Sequence, residues 1–342
     1  MRKSYLLVAA ALLVAASCQK NDNASSVEGI KYNPIDVVLS AAIEDVDTKV
    51  GYTEDANALK ATWKANDKIS LVAIDADGKA LSNDVFETTT AGASAKFTGK
   101  YSNPKGAVMV SVFYPALTEG EGTAEKPWQS KKREGTGLAD PESLLHGVVI
   151  GQPSITVRAE YQLQRSNGDL SNVDEAVVMH GKITDFSALV AGYVNVTLKS
   201  ICYVVKVTAK VPSGCDHLTR INLIATNGTS TPPMGIVGWT RLNDEFGIRS
   251  GNKLSNYAVG LGTTFRSAGS TLGTGVSPDG SDNIVAYIIG YTGEPRVLPS
   301  GTVLAIEAGY GTVPDKFNAT KTLTKDISLE PGKMYRVNVT LN

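Results

Sequence analysis

Apolar residues along this chain recur mostly at every second position, and that period dictates strands. In Ile35-Asp36-Val37-Val38-Leu39-Ser40-Ala41 the alternation puts Ile35, Val37, Leu39 and Ala41 on one face and predicts a first strand. Residues 68–74 predict a second. Asp75-Ala76-Asp77-Gly78 then predicts a turn in which glycine supplies the positive φ. The alternation continues at 95–98, at 107–114 (closed by Pro115), and at 155–161, 176–183 and 193–198. The strongest pattern is 201–211. Ile201, Tyr203, Val205, Val207, Ala209 and Val211 share a core face; the other face starts with Cys202 and Val204 and turns polar at Lys206, Thr208 and Lys210. A turn and a second apolar run at 218–225 predict a hairpin with it. Strands at 284–289, 303–308, 322–328 and 334–341 complete the set. Helix-period stretches are almost absent, and Gly, Thr and Val are plentiful. The prediction is an all-β chain of sandwiches.

Two stretches interrupt the pattern. Residues 118–140 are rich in Gly, Glu, Lys and Thr, with Trp128 as the large apolar residue, and predict a long exposed loop carrying the basic run Lys131-Lys132-Arg133. Arg165-Ser166-Asn167-Gly168-Asp169 makes a polar break. It places a domain boundary within 165–192, dividing the chain into an N-terminal domain, 34–180, and a C-terminal domain, 181–342.

The first residues obey a different rule. Met1-Arg2-Lys3 is cationic, Leu6 to Ala16 is an unbroken apolar run, and Ala15-Ala16-Ser17-Cys18 follows. This is the layout of a secretory signal, 1–17, with an apolar run too short to span a bilayer. The position of Cys18 makes the end of that signal resemble a bacterial lipobox, in which small residues admit the peptidase and the thiol accepts the acyl chains. On that reading Cys18 is lipidated and anchors the protein in the outer membrane, and polar residues 18–33 form a tether that lifts the first strand off the surface.

Charge and chemistry remove most other functions. The formal net charge is −1, with no basic block long enough for a nucleic-acid surface. His146, His180 and His217 make no metal-spaced pair, and His180 reads as a structural histidine in a strand. Asp75 and Asp77 lack the further ligands of a calcium loop. No nucleophile elbow, phosphate loop or dinucleotide fingerprint is present. We therefore expect no enzyme and no cofactor, although scattered carboxylates leave a glycosidase pair open. Cys202 and Cys215 are thirteen residues apart around a turn. They read as separate thiols, with a disulfide as the alternative. Trp63, Trp128 and Trp239 are either packing residues or sugar-stacking platforms, with Trp63 read as core.

Thr48-Lys49-Val50-Gly51-Tyr52, followed by Trp63-Lys64-Ala65-Asn66-Asp67-Lys68-Ile69, resembles a segment of the fimbrillin family of Bacteroidota. In that family Gly is usual where Asn66 stands; Asn also tolerates a left-handed turn. Leu329-Glu330-Pro331-Gly332-Lys333-Met334-Tyr335-Arg336-Val337 resembles the family's closing strand. The resemblance implies two transthyretin-like β-sandwich domains and export as a lipoprotein. It also implies a structural role in cell-surface fimbriae that contribute to adhesion. Partners would be other fimbrial subunits, the outer membrane, and host or bacterial surface ligands. In stalk subunits of the family an early strand is removed by proteolysis and the groove is filled by a strand of the next subunit. Here Ile35, Val37, Leu39 and Ala41 would form that displaced strand. Stalk subunits are cut after Arg, yet no Arg occurs between Arg2 and Arg133, so the candidate cuts follow Lys31 or Lys49. The absence of an Arg site, and of an obvious spare donor strand, leans toward an anchor or accessory subunit. The alternative is a surface glycan-binding lipoprotein of a nutrient-uptake system, using Trp128 or Trp239.

Overall fold

A computed structural model describes residues 34–43, 53–55, 58–122, 126, 128–130, 147–151, 154–158, 162–170, 172–173, 177–228, 234–241, 250–254, 256–263, 266, 271–292 and 295–342. The described chain is all-β. In order it forms β1 (Ile35–Ile43), β2 (Thr53–Asp55), β3 (Ala58–Lys60), β4 (Lys68–Ile74), β5 (Ala80–Thr88), β6 (Ser94–Tyr101), β7 (Met109–Tyr114), β8 (Leu117–Glu119), β9 (Trp128–Ser130), β10 (Gly147–Gly151), β11 (Ser154–Arg158), β12 (Gln162–Gln164) and β13 (Met179–Ile183). A short helix, α1 (Phe186–Val190), leads to β14 (Tyr193–Ser200), β15 (Cys202–Lys210), β16 (Arg220–Thr226), β17 (Gly235–Arg241), β18 (Ser250–Leu254), β19 (Asn256–Leu261), β20 (Asn283–Tyr291), β21 (Arg296–Leu298), β22 (Val303–Tyr310), β23 (Val313–Thr322), β24 (Ile327–Leu329) and β25 (Met334–Thr340).

Seven strands close on themselves in the order β1-β14-β13-β7-β4-β5-β6. Closure leaves none of them with a free edge, which removes the aggregation hazard of an open sheet. The strands read as strands because their inner positions are apolar: Val37, Leu39, Ile69, Leu71, Phe86, Phe97, Val110, Val112, Val196 and Leu198 are all buried. A second sheet runs β18-β17-β11-β10-β9-β8. The later strands, together with β12, make a five-stranded sheet, β12-β19-β16-β22-β23, and a three-stranded sheet, β20-β15-β25. Tyr203 of β15 packs edge-on against Tyr257 of β19 (6.4 Å) and gives its hydroxyl to Met234 O (2.7 Å). Gly290 is required beside it: a Cβ there would lie 2.2 Å from the Tyr203 ring.

Three expectations are corrected. Residues 322–328 are not one strand: the chain leaves β23 at Thr322 and enters β24 at Ile327, with Asp326 between them accepting from Ser300 N–H. Residues 201–211 and 218–225 do not form a hairpin. β15 lies between β20 and β25, while β16 lies between β19 and β22 in the other sheet. Both strands carry a fully apolar inner face, and the turn at 212–219 carries the chain from one sheet to the other instead of back along its neighbour. The loop expected over 118–140 contains part of a hairpin, β8 with β9, held by the buried residues Leu117 and Ser130. Its three-residue strands are too short to show a period. β13 spans residues 180 and 181, and β14 beyond it completes the closed set.

The outer edge of β20 is satisfied without a strand. Gln162 exchanges two hydrogen bonds with Ile289, donating to its carbonyl (2.7 Å) and accepting from its N–H (2.8 Å). Gln164 donates to Val285 O and accepts from Tyr287 N–H; Asn167 donates to Asn283 O and accepts from Val285 N–H; Asn172 donates to Tyr287 O. Four side-chain amides thus stand in for the backbone of a neighbouring strand.

Candidate functional site

The candidate site is β1 with the two strands that hold it. Its alternation is realised: Val37, Leu39 and Ala41 are buried, and Ile35 packs half-buried against the same core. Asp36 points outward, 3.9 Å from the Lys100 ammonium. On one side β1 runs antiparallel to β6, with Leu39 opposite Phe97 and Ala41 opposite Ala95. On the other it runs parallel to β14, from Val38 opposite Tyr193 to Ile43 opposite Leu198. Asp185 caps α1 by accepting from Ser187 N–H (2.9 Å), and Gly192, at φ +85°, turns the helix into β14 and accepts from Val38 N–H (2.9 Å). A Cβ on Gly192 would lie 3.1 Å from Asp36 O, so the turn is fitted to β1.

Trp63 locks the strand from inside. It is fully buried, packs edge-on against Phe97 (5.0 Å) and Tyr114 (5.4 Å), and donates its indole N–H to Ala41 O (3.1 Å). The residues after it explain the motif. Asp67 accepts from Lys64 N–H (2.7 Å), Asn66 takes φ +71°, and Thr88 exchanges backbone bonds with Asn66 and Asp67. This tight turn fixes the indole at the start of β4. Trp63 is therefore core, as read from the sequence. Sequence reasoning found the motif and missed this bond to β1, because nothing local pairs residue 63 with residue 41.

Cys18, Lys31 and Lys49 lie outside the described residues, as does His146. Ile35, Val37, Leu39 and Ala41 are brought together as expected. Cys202 and Cys215 are both free. Cys202 is buried between Val178 and Ser200, and burial pushes its thiol up to about 12. His180 is buried against Phe113, 3.2 Å from Ser111 Oγ; burial, then Lys182, pulls it down to about 3, which keeps it neutral. Asp75 accepts from Asp77 and Lys79 N–H, a turn cap in place of a cation site. Among the described residues no group of three or more metal-ligating side chains comes together. Trp128 is half-buried, with Gly122 seated against its indole, where a Cβ would lie 2.5 Å from the ring. One side of that indole is closed to a sugar. The Trp239 side chain lies outside the description.

Neither family models nor curated proteins give a match. Solved structures similar to this chain include a candidate cell adhesion protein from Bacteroides ovatus, at 14% identity and TM-score 0.41, covering 90% of this chain and 92% of that one. The fimbrial anchor protein Mfa2 from Porphyromonas gingivalis is similar at 12% identity and TM-score 0.32, over 84% of this chain and 82% of its own. A fimbrial assembly protein from Parabacteroides distasonis is similar at 12% identity and TM-score 0.34, over 89% and 90%. These are fimbrial and candidate cell-adhesion proteins of Bacteroidales.

Proposed function

We propose that this chain is a structural subunit of cell-surface fimbriae, exported as a lipoprotein acylated on Cys18 and assembled by β-strand exchange in which β1 is the strand displaced. One observation carries the reading. β1 is hydrogen-bonded along both edges and buries Val37, Leu39 and Ala41 in a closed ring. Its loss would uncover two strand edges, β6 and β14, with an apolar trough between them. Val37 and Leu39 each contribute about 1.5–3 kcal/mol through burial. A groove of that kind is refilled most completely by another strand that supplies a row of backbone bonds and alternate apolar side chains.

The organisation we propose is two β-domains of the transthyretin-like type, with the changeover at Ser200–Cys202, where the chain leaves the closed ring and enters β15. The candidate cuts after Lys31 or Lys49 flank β1 on either side. Partners on this reading are other fimbrial subunits, the outer membrane through the lipid on Cys18, and surface ligands of host or bacterial cells. Mass spectrometry of the mature N-terminus in outer membranes and in sheared filaments tests it. A new N-terminus after Lys49 in filaments supports strand removal and a stalk subunit, whereas one after Lys31 releases the lipid tether and leaves β1 in place. Acylated Cys18 in both fractions supports an anchor or accessory subunit. Acylated Cys18 in membranes with none of the protein in filaments overturns the fimbrial reading.

A further inference from the structure

The sheet β20-β15-β25 has two outer edges, and the chain treats them differently. Side-chain amides fill the edge of β20. Among the described residues β25 pairs with β15 alone, and β23, the last strand of the opposite sheet, stands beside it. The two meet at one antiparallel bridge, where Asn318 N–H donates to Asn342 O (3.3 Å) and Asn342 N–H donates to Asn318 O (3.0 Å). Past the bridge they part around an open cavity of about 330 Å³, lined by Ala319, Thr320, Lys321, Asn338, Val339 and Thr340 together with Asn342.

Backbone direction along both walls follows from the bonds already made. Leu341 N–H donates to Lys210 O, and Lys333 O accepts from Val204 N–H, so odd-numbered residues of β25 serve β15. Asn338 and Thr340, in step with Asn342, direct their N–H and C=O into the slot. On β23 Asn318 points that way, and Thr320 and Thr322 follow it by the same two-residue period. Ala319 is buried and Val339 half-buried, and an apolar cavity of about 130 Å³ is lined by residues next to them along the same strands: Leu304, the partner of Lys321, and Val337, two residues before Val339. Lys321 lies opposite Leu304 on the inner side of β23 yet remains exposed, so the slot is open at that point. Lys316, on the same strand, is exposed as well, and no Asp or Glu side chain is among the slot's lining residues.

We propose that the β23–β25 slot docks an extended strand of another protein, with apolar side chains at every second position and acidic residues at its flank. Such a strand bonds to Asn338 and Thr340 on one side and to Thr320 and Thr322 on the other. Its apolar side chains descend onto Ala319 and Val339, and its acidic flank meets Lys321. This site is separate from the β1 groove, and it stands or falls independently of strand removal there.

The test uses the full chain and a fluorescent peptide alternating Val and Thr with Glu at its flank, beside a copy carrying Lys in place of Glu. Saturable binding in anisotropy is expected, about tenfold tighter for the Glu peptide. Slowed amide exchange should fall on 318–322 and 334–342. Thr340→Pro removes one slot-facing N–H without touching the β15 ladder and should abolish binding. Lys321→Glu, at an exposed side chain, should reverse the preference between the two peptides and carries the test if the proline variant unfolds. Absence of saturable binding, protection on β6 and β14 instead, or undiminished binding by folded Thr340→Pro would overturn the assignment.

Discussion

Leu39→Ala isolates what holds the first strand. Leu39 is fully buried at the middle of β1, between Phe97 of β6 and Val194 of β14. Replacing its isobutyl group with methyl leaves a cavity in a closed ring whose other strands are fixed by their own neighbours, so the site relaxes little. The cost is about 3 kcal/mol. If β1 leaves as a unit, the cost falls on that local opening, whose population rises about 150-fold at 1.4 kcal/mol per factor of ten. Hydrogen exchange by mass spectrometry reads this directly. Amides of β1, and those of β6 and β14 that bond to it, should exchange about 150-fold faster, while β15 and β20 stay near their wild-type rates. Val38→Ala, on the outer and half-buried side of the same strand, should move the same amides by about 0.5 kcal/mol or less. Equal acceleration in β15 and β20 would refute the reasoning, because β1 would then open only with the whole molecule. Unchanged exchange in β6 and β14 would refute it too.

Other predictions follow from the same contacts. Asn66→Ala forces a Cβ-bearing residue without a compensating side chain into φ +71° and should cost about 1–2 kcal/mol in chemical denaturation, whereas Asn66→Gly should cost less. Cys202 should resist a thiol reagent at pH 8 until the protein unfolds, since burial holds its pKa near about 12; Cys215, half-buried in a turn, should react first. His180 has its folded pKa lowered to about 3, so between that value and the ordinary 6.5 the unfolded chain binds the extra proton. Stability should therefore fall as pH drops through this window, by up to about 1.4 kcal/mol per pH unit, and His180→Phe should flatten that slope in urea titrations at several pH values.

Strands that alternate, or that run apolar on both faces as β4 does, were legible because both signals are local. β1, β4, β15, β20 and β25 stand where the pattern places them. β23 was not: Val-Pro-Asp-Lys-Phe-Asn-Ala-Thr-Lys-Thr is an edge strand with most side chains in water, so its period carries no apolar signal. Its Pro314 and Lys316, ahead of the bridge at Asn318, are residues that protect an edge. The partner of a strand was the harder question. The crossing between β15 and β16 and the parallel match of β1 with β14 depend on chain segments far apart, which a window of ten residues does not see. The Trp63 turn was visible as a motif; its purpose, a hydrogen bond to Ala41, was visible only once the ring closed. The slot between β23 and β25 left no mark in the sequence, because it is lined by residues that are ordinary on any exposed strand.

The parallel pairing of β1 with β14 bears on the order of folding. Val38 reaches its partner Tyr193 only after about 150 intervening residues. A contact of that span forms late, since the loop it closes must be ordered first. During synthesis the segment 35–43 emerges before the other strands of the ring and waits longest. It can pair early with β6, but the ring stays open on its other flank until β14 arrives. The first strand to be made is thus the last to be secured, and a competing strand present in that interval meets an unfinished seam in place of a closed wall.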